Sequence, residues 1–276
     1  MNHETADAVE QEVLNRAETL ALDLARQAGV LIRDRLYDDR EILHKGRVDI
    51  VTDADQAAEL VIAGGITAAF PDHRLIAEEG ARGNESSPYG WVIDPIDGTT
   101  NYAHRLPQFA VSIALEFHGD PVLGVVYDPM RDEMFQARIG RGAFVNDRPI
   151  RVSETADLIS SLLASGFSYN IEERPISYAL WIDINNKAQG LRRAGAAALD
   201  ICYVAAGRLD GYFEKPVNAW DIGAGAIIVL EAGGRLSALD GAPFGLYDRT
   251  ICATNDTIHD ELVAAIRTTL DSNSVT

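Results

Sequence analysis

The patterning of this 276-residue chain predicts an α/β fold of the α+β kind, on three observations. Apolar residues recur every three or four positions up to about residue 36, the repeat of an amphipathic helix. From Leu75 the pattern changes to alternation and short apolar runs, which is the habit of strands. After Pro149 helix-like and strand-like segments are interleaved.

The elements follow in order. Val9, Val13, Ala17, Leu20, Leu24, Ala28, Leu31 and Ile32 define the apolar stripe of the first helix. Lys45-Gly46-Arg47 breaks the pattern before a short strand at Ile50-Val51. A second helix opens near Thr52 or Asp53 and carries Glu59, Leu60 and Ile62. Gly64 and Gly65 each cost a helix interior about 1 kcal/mol, so a kink or a frayed C-terminal half is expected before Pro71-Asp72 stops the helix. Leu75–Ala77, Trp91–Ile93, Val111–Leu115, Val122–Tyr127 and Met134–Ala137 read as strands, with His118-Gly119-Asp120 and Asp128-Pro129-Met130 as turns between them. Next come a strand at Leu162–Ala164 and helices over Ile176–Gln189 and Ala196–Ala206. A strand at Gly211–Phe213, a helix over Asp221–Glu231 and a last helix over His259–Leu270 complete the order. The tail Asp271–Thr276 is expected to fray.

Composition narrows the function. Hydrophobic residues make up 47%, enough for a sizeable core, which excludes a disordered or fibrous chain. Lys and Arg number 24 against 42 Asp and Glu, a net charge of −18. That field repels phosphate backbones and anionic lipid, so neither nucleic acid nor a membrane surface is expected as a partner. An anionic substrate then needs a local positive charge, and a divalent metal is the obvious source. Cys202 and Cys252 lie in apolar contexts and read as reduced core residues of a cytoplasmic protein. The polar, acidic N-terminus is unlike a secretory leader, and no apolar run approaches the roughly 18 residues of a membrane span.

The densest chemical feature is Trp91-Val92-Ile93-Asp94-Pro95-Ile96-Asp97-Gly98-Thr99-Thr100-Asn101. A strand delivers Asp94, Pro95 cannot continue the ladder, and a helix can start at Thr99 after the Asp97-Gly98 turn. Two carboxylates at such a turn suit a hard divalent cation, and the Gly98 and Thr99 amides suit an anion. The plainer alternative is an ordinary Asp-Gly turn with Asp94 as a cap. Three further acidic sites accompany it. Glu78-Glu79 ends a strand, and alternation lets one of the pair face the site. Asp49, Asp53 and Asp55 surround a strand-to-helix transition, where Thr52 or Asp53 serves as helix cap. Asp221 opens a small-residue helix, with N-capping as the simpler role.

Asp94-Pro-Ile-Asp-Gly-Thr-Thr-Asn101 followed by Trp220-Asp-Ile-Gly-Ala-Gly225 resembles the paired motifs of the inositol monophosphatase family, lithium-sensitive, magnesium-dependent phosphomonoesterases. The resemblance extends through Val48–Thr52, Asp55, Glu78-Glu79 and the stretch from Gly195 to Glu214, and spans about residues 10 to 268. It implies the layered α-β-α-β-α sandwich of sugar phosphatases in one unit over 1–276. The N-terminal part, about 1–150, holds most metal ligands; the C-terminal part, about 151–270, holds Asp221 and the ring-facing residues. It implies that Glu78, Asp94 and the Ile96 carbonyl hold one Mg²⁺. Asp94, Asp97 and Asp221 hold a second, and Glu78 helps to hold a weaker third. Thr99, paired with Asp55, orients the attacking water. Gly98 and Thr99 bind phosphate through their amides, while Gly195, Ala196, Ala197 and Glu214 face the inositol or sugar ring. The substrate implied is a small-molecule phosphomonoester and the expected assembly a homodimer.

The sequence departs from the family at Ala196, where Ser or Thr is common, and at Ala77 and Gly80 beside the glutamate pair. Thr100-Asn101 stands where relatives acting on 3′-phosphoadenosine phosphate or histidinol phosphate often carry Lys, and so resembles the inositol and sugar-phosphate branch. The competing readings are fructose-1,6-bisphosphatase or histidinol-phosphate phosphatase on the same scaffold, or a non-catalytic metal-binding interaction protein. Pairing of Thr99 with Asp55 argues against the last. Lys45 and Arg47 lie either in a mobile loop near the site or in a solvated one. Arg192-Arg193 is either a substrate or dimer contact or an exposed pair. His104 and Arg105 are expected in a surface loop, and Asp38-Asp39 and Glu172-Glu173 read as solvated charge.

Overall fold

The computed structural model describes residues 10–38, 42–44, 50–80, 83, 84, 86–168 and 170–273. Helix α1 (Gln11–Asp34) buries Leu14, Ala17, Ala21, Leu24, Ala25, Ala28 and Ile32. Val13, Leu20 and Leu31 flank that stripe rather than centre it, and Val9 lies outside the described residues. A short ribbon pairs β1 (Ile42–His44) with β2 (Ile50–Thr52). Helix α2 (Asp53–Ala69) then runs unbroken through Gly64 and Gly65, so the expected kink is absent. A Cβ on Gly65 would fall 2.5 Å from Leu24 Cδ2, and the glycine is what lets α1 and α2 approach.

The larger sheet has seven strands in sequence order: β3 (Arg74–Ala77), β4 (Tyr89–Asp97), β5 (Ala110–Phe117), β6 (Asp120–Asp128), β7 (Glu133–Arg138), β8 (Ala143–Val145) and β9 (Arg148–Ile150). Only the β3–β4 pair is parallel. The smaller sheet contains β10 (Leu162–Ser165), β11 (Gly190–Arg192), β12 (Gly211–Glu214), β13 (Arg235–Ser237) and β14 (Ile251–Thr254), in the order β11-β10-β12-β14-β13. The helices of the second half are α4 (Arg174–Asn185), α5 (Ala197–Ala205), α6 (Ala219–Glu231) and α7 (His259–Asn273); α3 (Thr99–Ala103) is a single turn after β4. Three of the sequence-based bounds shift. The helix expected over Ile176–Gln189 stops at Asn185 and yields to β11, and the helix expected from Asp221 opens at Ala219. The last helix extends to Asn273, while 274–276 lie outside the described residues.

Strand alternation sorts the core into layers, because successive side chains point to opposite faces. Trp91, Ile93, Val111, Ile113, Leu115, Leu123 and Val125 pack with α1 and α2. Val92, Ala110, Ala114 and Val126 face the other way, onto α5 and α6. The smaller sheet repeats the division. Ala164, Tyr212 and Ala253 meet the middle helices, and Leu163, Phe213 and Cys252 meet α4 and α7. The result is the α-β-α-β-α sandwich. Cys202 and Cys252 are buried free thiols within it.

Gly124 lies at a close approach of sheet and middle layer, where a Cβ would run into the Ala224 backbone of α6. Gly124→Ala should destabilise the protein by about 1–3 kcal/mol through overpacking. Gly64→Ala, which meets nothing within 4 Å in α2, should instead raise stability by about 0.5–1 kcal/mol. Paired thermal unfolding curves check both signs.

Candidate active site

β3 and β4 are parallel, so their C-terminal ends fall together, and the N-terminal turns of α2, α5 and α6 meet them there. Asp94 and Asp97 belong to β4 but stand three residues apart, a spacing that puts side chains on opposite faces of a regular strand. The pairing of β4 with β5 is irregular between them, at Pro95-Ile96, and this frees both carboxylates to reach one cluster. The Ile96 amide donates to Asp94 Oδ1 at 3.0 Å and fixes that turn. Gly98 then takes φ +93°, where a Cβ would press on the Gln108 and Gly195 carbonyl oxygens. Gly98, not Thr99, is the N-cap of α3; Thr99 is its first helical residue.

Two capping boxes supply the other carboxylates. In Thr52-Asp53-Ala54-Asp55 the cap is Thr52, and the Asp55 carboxylate accepts the Thr52 amide at 2.8 Å and its hydroxyl at 2.6 Å. In Asn218-Ala219-Trp220-Asp221 the cap is Asn218, whose amide donates to Asp221 Oδ2 at 2.8 Å. Of the two cap candidates Thr52 and Asp53 it is Thr52 that holds the position, and Asp221 is the third residue of its box rather than the cap.

Oxygens of Asp94, Asp97 and Asp221 all lie within 4.8 Å of one another. Glu78 follows β3, where its amide donates to the Ile93 carbonyl, and its charge acts on Asp94 and Asp221. The Glu79 amide is held at 2.9 Å by Glu59, which sits one helical turn beyond Asp55 on α2. Asp97 accepts the Ala197 and Ala198 amides at 3.0 and 2.8 Å, which ties the carboxylate to the start of α5. Thr99 Oγ1 lies 3.1 Å from Asp55 Oδ1 and 3.0 Å from the Ile96 carbonyl. Its one proton serves either acceptor, so the hydroxyl is anchored from two sides.

Beside the carboxylates, Gly195, Ala196, Ala197 and Glu214 line a cavity together with Asp97 and Asp221. Ser165, Asp200 and Tyr212 also line it, and sequence reasoning assigned none of these three; Arg193, for which a substrate contact was one of the readings, lines it too. Tyr212 donates its hydroxyl to Glu214. Arg193 lies over the Phe167 ring, 5.7 Å from its centroid, whereas Arg192 belongs to β11. His104 and Arg105 are exposed after α3, as are Asp38, Glu172 and Glu173. Asp39, Lys45, Arg47, Val48 and Asp49 lie outside the described residues.

The electrostatics have one sign. Burial, then the charges of Glu78, Asp97, Asp221 and Asp55, pushes Asp94 well above the ordinary carboxylate range. Burial and then Asp97 push Asp221 up likewise. Burial raises Asp97 to about 7 against the pull of the α5 amides, and raises Asp55 to about 6 against its Thr52 hydrogen bonds. Glu214 is raised by burial to about 7, opposed by Tyr212 and Arg193. Such groups hold their protons more tightly folded than unfolded. Their contribution to stability is present below the unfolded value, 3.8 for Asp, and is lost as pH rises through the folded values. In excess chelator the melting temperature should therefore fall between about pH 5 and pH 8, and a divalent cation should restore it at the upper end. A flat or rising profile in chelator contradicts this electrostatic account.

Fold and site together are those of a metal-dependent phosphomonoesterase. The chain belongs to the inositol monophosphatase family, whose model matches residues 14–271. An inositol-1-monophosphatase of Synechocystis sp. is 47% identical over 253 residues, 91% of this chain and 88% of that protein. The Nus factor SuhB of Escherichia coli is 41% identical over 252 residues, 90% of this chain and 94% of that one. The solved inositol monophosphatase of Anabaena (Nostoc) sp. superposes with a TM-score of 0.84 at 42% identity, covering 92% of this chain and 96% of that one. This chain is a phosphoric monoester hydrolase of the inositol-phosphatase type, acting on small phosphoesters with the help of a metal. Among the described residues no helix is long and apolar enough to cross a membrane.

Proposed function

We propose that this chain hydrolyses inositol 1-phosphate, or a related polyol or sugar phosphate, as a cytoplasmic, Mg²⁺-dependent homodimer with residues 1–276 forming one catalytic unit. The carboxylate trio of Asp94, Asp97 and Asp221 beside a cavity built for the alcohol carries this reading. The donor set is all oxygen and buried among like charges, which suits a hard divalent ion. Glu78, Asp94, Asp97, Asp221 and the Ile96 carbonyl are the groups that hold it. Mg²⁺ bound there supplies the positive charge that admits a phosphate dianion and acidifies the attacking water.

The protein's own residues do the positioning. The Thr99 hydroxyl, anchored by Asp55 and the Ile96 carbonyl, orients the water for in-line attack. The Gly98 and Thr99 amides hold the phosphate. Glu214 and the stretch Gly195, Ala196 and Ala197 hold the ring of the alcohol. Among the described residues lining the cavity there is no His or Lys, so the leaving alkoxide takes its proton from water.

A turnover panel of inositol 1-phosphate, fructose 1,6-bisphosphate and histidinol phosphate with Mg²⁺ tests the substrate class, and added Li⁺ tests the branch. The expected result is the highest kcat/KM for inositol 1-phosphate and Li⁺ inhibition that is uncompetitive with respect to substrate. A preference for either alternative substrate, or competitive or absent Li⁺ inhibition, contradicts the assignment.

A further inference from the structure

β3 is a four-residue strand at the edge of the larger sheet, paired with β4, and Glu78-Glu79 follows it directly. Its register therefore decides where Glu78 stands. Burial opposes a one-residue slip, because Leu75 and Ala77 would leave the α1–α2 face. A two-residue slip keeps the faces, yet at about 3.3 Å per residue it carries Glu78 about 7 Å along the sheet. That exceeds the 4.8 Å within which the Asp94, Asp97 and Asp221 oxygens lie. Side-chain contacts at the start of the strand oppose such a slip. Trp91 Nε1 donates to His73 Nδ1 at 3.1 Å just before β3, and on the other face Arg74 pairs with Glu116 of β5.

Arg74, Gly90 and Glu116 form one row across β3, β4 and β5. The guanidinium reaches over β4 because Gly90 has no side chain. A Cβ there would run into the Glu116 carboxylate and stand 3.1 Å from Arg74 Nη2. Glu116 is fully buried, and Arg74 is 27% exposed. Arg74 Nε and Glu116 Oε2 are buried without hydrogen-bond partners among the described residues. A pair with such orphans adds little net stability, and fixing register is the best-attested use of a buried pair.

We propose that the Arg74–Glu116 pair, made across Gly90, sets the register of β3 and so places Glu78 for metal binding. The inference rests on the phosphatase reading above, in which Glu78 is a ligand, and adds two positioning residues to it. Arg74 stands four residues before Glu78, about 13 Å along the strand, so it acts through β3 rather than on the metal. Loss of the pair loosens β3 and weakens the hold on the metal. The Thr99–Asp55 pair and the carboxylate trio stay in place.

Calorimetric titration of Mg²⁺ into the chelator-stripped full chain, with hydrogen exchange on the same preparations, tests this. The variant combines Arg74→Met with Glu116→Leu, which removes the pair without stranding a buried charge. Its Mg²⁺ affinity should fall about tenfold or more. The Glu78 amide, bonded to the Ile93 carbonyl, should exchange about tenfold or more faster, while the amides of β5 keep their protection. Arg74 reaches Glu116 through one nitrogen, so Arg74→Lys should stay near wild type in both readouts. Should the double variant fail to melt cooperatively, Glu116→Gln, of the same shape, takes its place with the same losses expected. Unchanged Mg²⁺ affinity in a folded variant, or exchange that quickens equally in β3 and β5, overturns the proposal and leaves the phosphatase reading intact. A wild type that binds no Mg²⁺ and releases no phosphate from inositol 1-phosphate or p-nitrophenyl phosphate removes that reading and the positioning role with it.

Discussion

Asp94→Asn is expected to lower turnover by about a hundredfold or more, because one carboxylate serves the whole metal cluster. The side chain is 2% exposed, and Glu78, Asp97, Asp221 and Asp55 all act on its charge. Asn preserves the shape and can still accept from the Ile96 amide, but it cannot supply the negative charge that a divalent ion needs. The same substitution should raise the melting temperature in excess chelator, since it removes a buried charge that its neighbours repel. Activity lost while metal-free stability rises is the signature of a ligand; loss of both would make Asp94 a folding residue. Phosphate release with Mg²⁺ and melting curves in chelator, run on the same preparations, separate the two.

Thr99→Ala should cost several tens-fold or more in turnover, with Asp55→Asn close to it. The double substitution should lose little more than either single one, because the two side chains act on one water as a unit. The structure removes a helix-capping explanation for Thr99, since Gly98 holds the cap position and the Thr99 hydroxyl donates rather than accepts. The accompanying stability loss is about 1 kcal/mol from the hydrogen bonds given up to Asp55 and Ile96. Thr99→Ser keeps the donor and should stay near wild type. Independent, multiplicative losses at the two positions would show that they are not a dyad, whatever the size of each.

Much of this architecture was legible because the central strands are long and alternate. Trp91–Ile93, Val111–Leu115 and Val122–Tyr127 divide their side chains between two helical layers, and that division is written directly into the residue order. The strands β1, β8, β9, β11, β13 and β14 were not read; each has only three or four residues, a length at which periodicity gives no signal, and β2, β3, β10 and β12, no longer, were read from their apolar residues alone. The glycine at position 65 misled, because an intrinsic helix cost is set against the closeness that it permits with Leu24, and only the packed structure shows the second term. The cap of α2 is Thr52, one of the two candidates, whereas Asp221 stands three positions beyond the cap of its helix. Asp55 and Asp221 share one local device, the third position of a capping box, and Thr52-x-x-Asp55 with Asn218-x-x-Asp221 displays that device in the sequence.

Asp200 was readable in principle. It is the one charge in the run Ala196–Ala206, and apolar residues stand at three and four positions on both sides, so it has no solvated face to occupy. Glu59 likewise lies four residues from Asp55, on the same face of α2, and its hold on the Glu79 amide follows from that placement. Ser165 carries no such signal, and the Arg192-Arg193 pair left a substrate contact and an exposed position both open. Ser165 and Arg193 reach the cavity through the meeting of β10 with the segment before α5, which is a property of the tertiary fold alone.

The central claim is that the buried carboxylates work through a divalent ion, and the direct test is phosphate release from inositol 1-phosphate by the chelator-treated protein before and after Mg²⁺ is returned. The account predicts no release in excess chelator and full recovery as Mg²⁺ is titrated back. Turnover that persists in chelator, or that Mg²⁺ fails to restore in protein still folded by its melting curve, would contradict it.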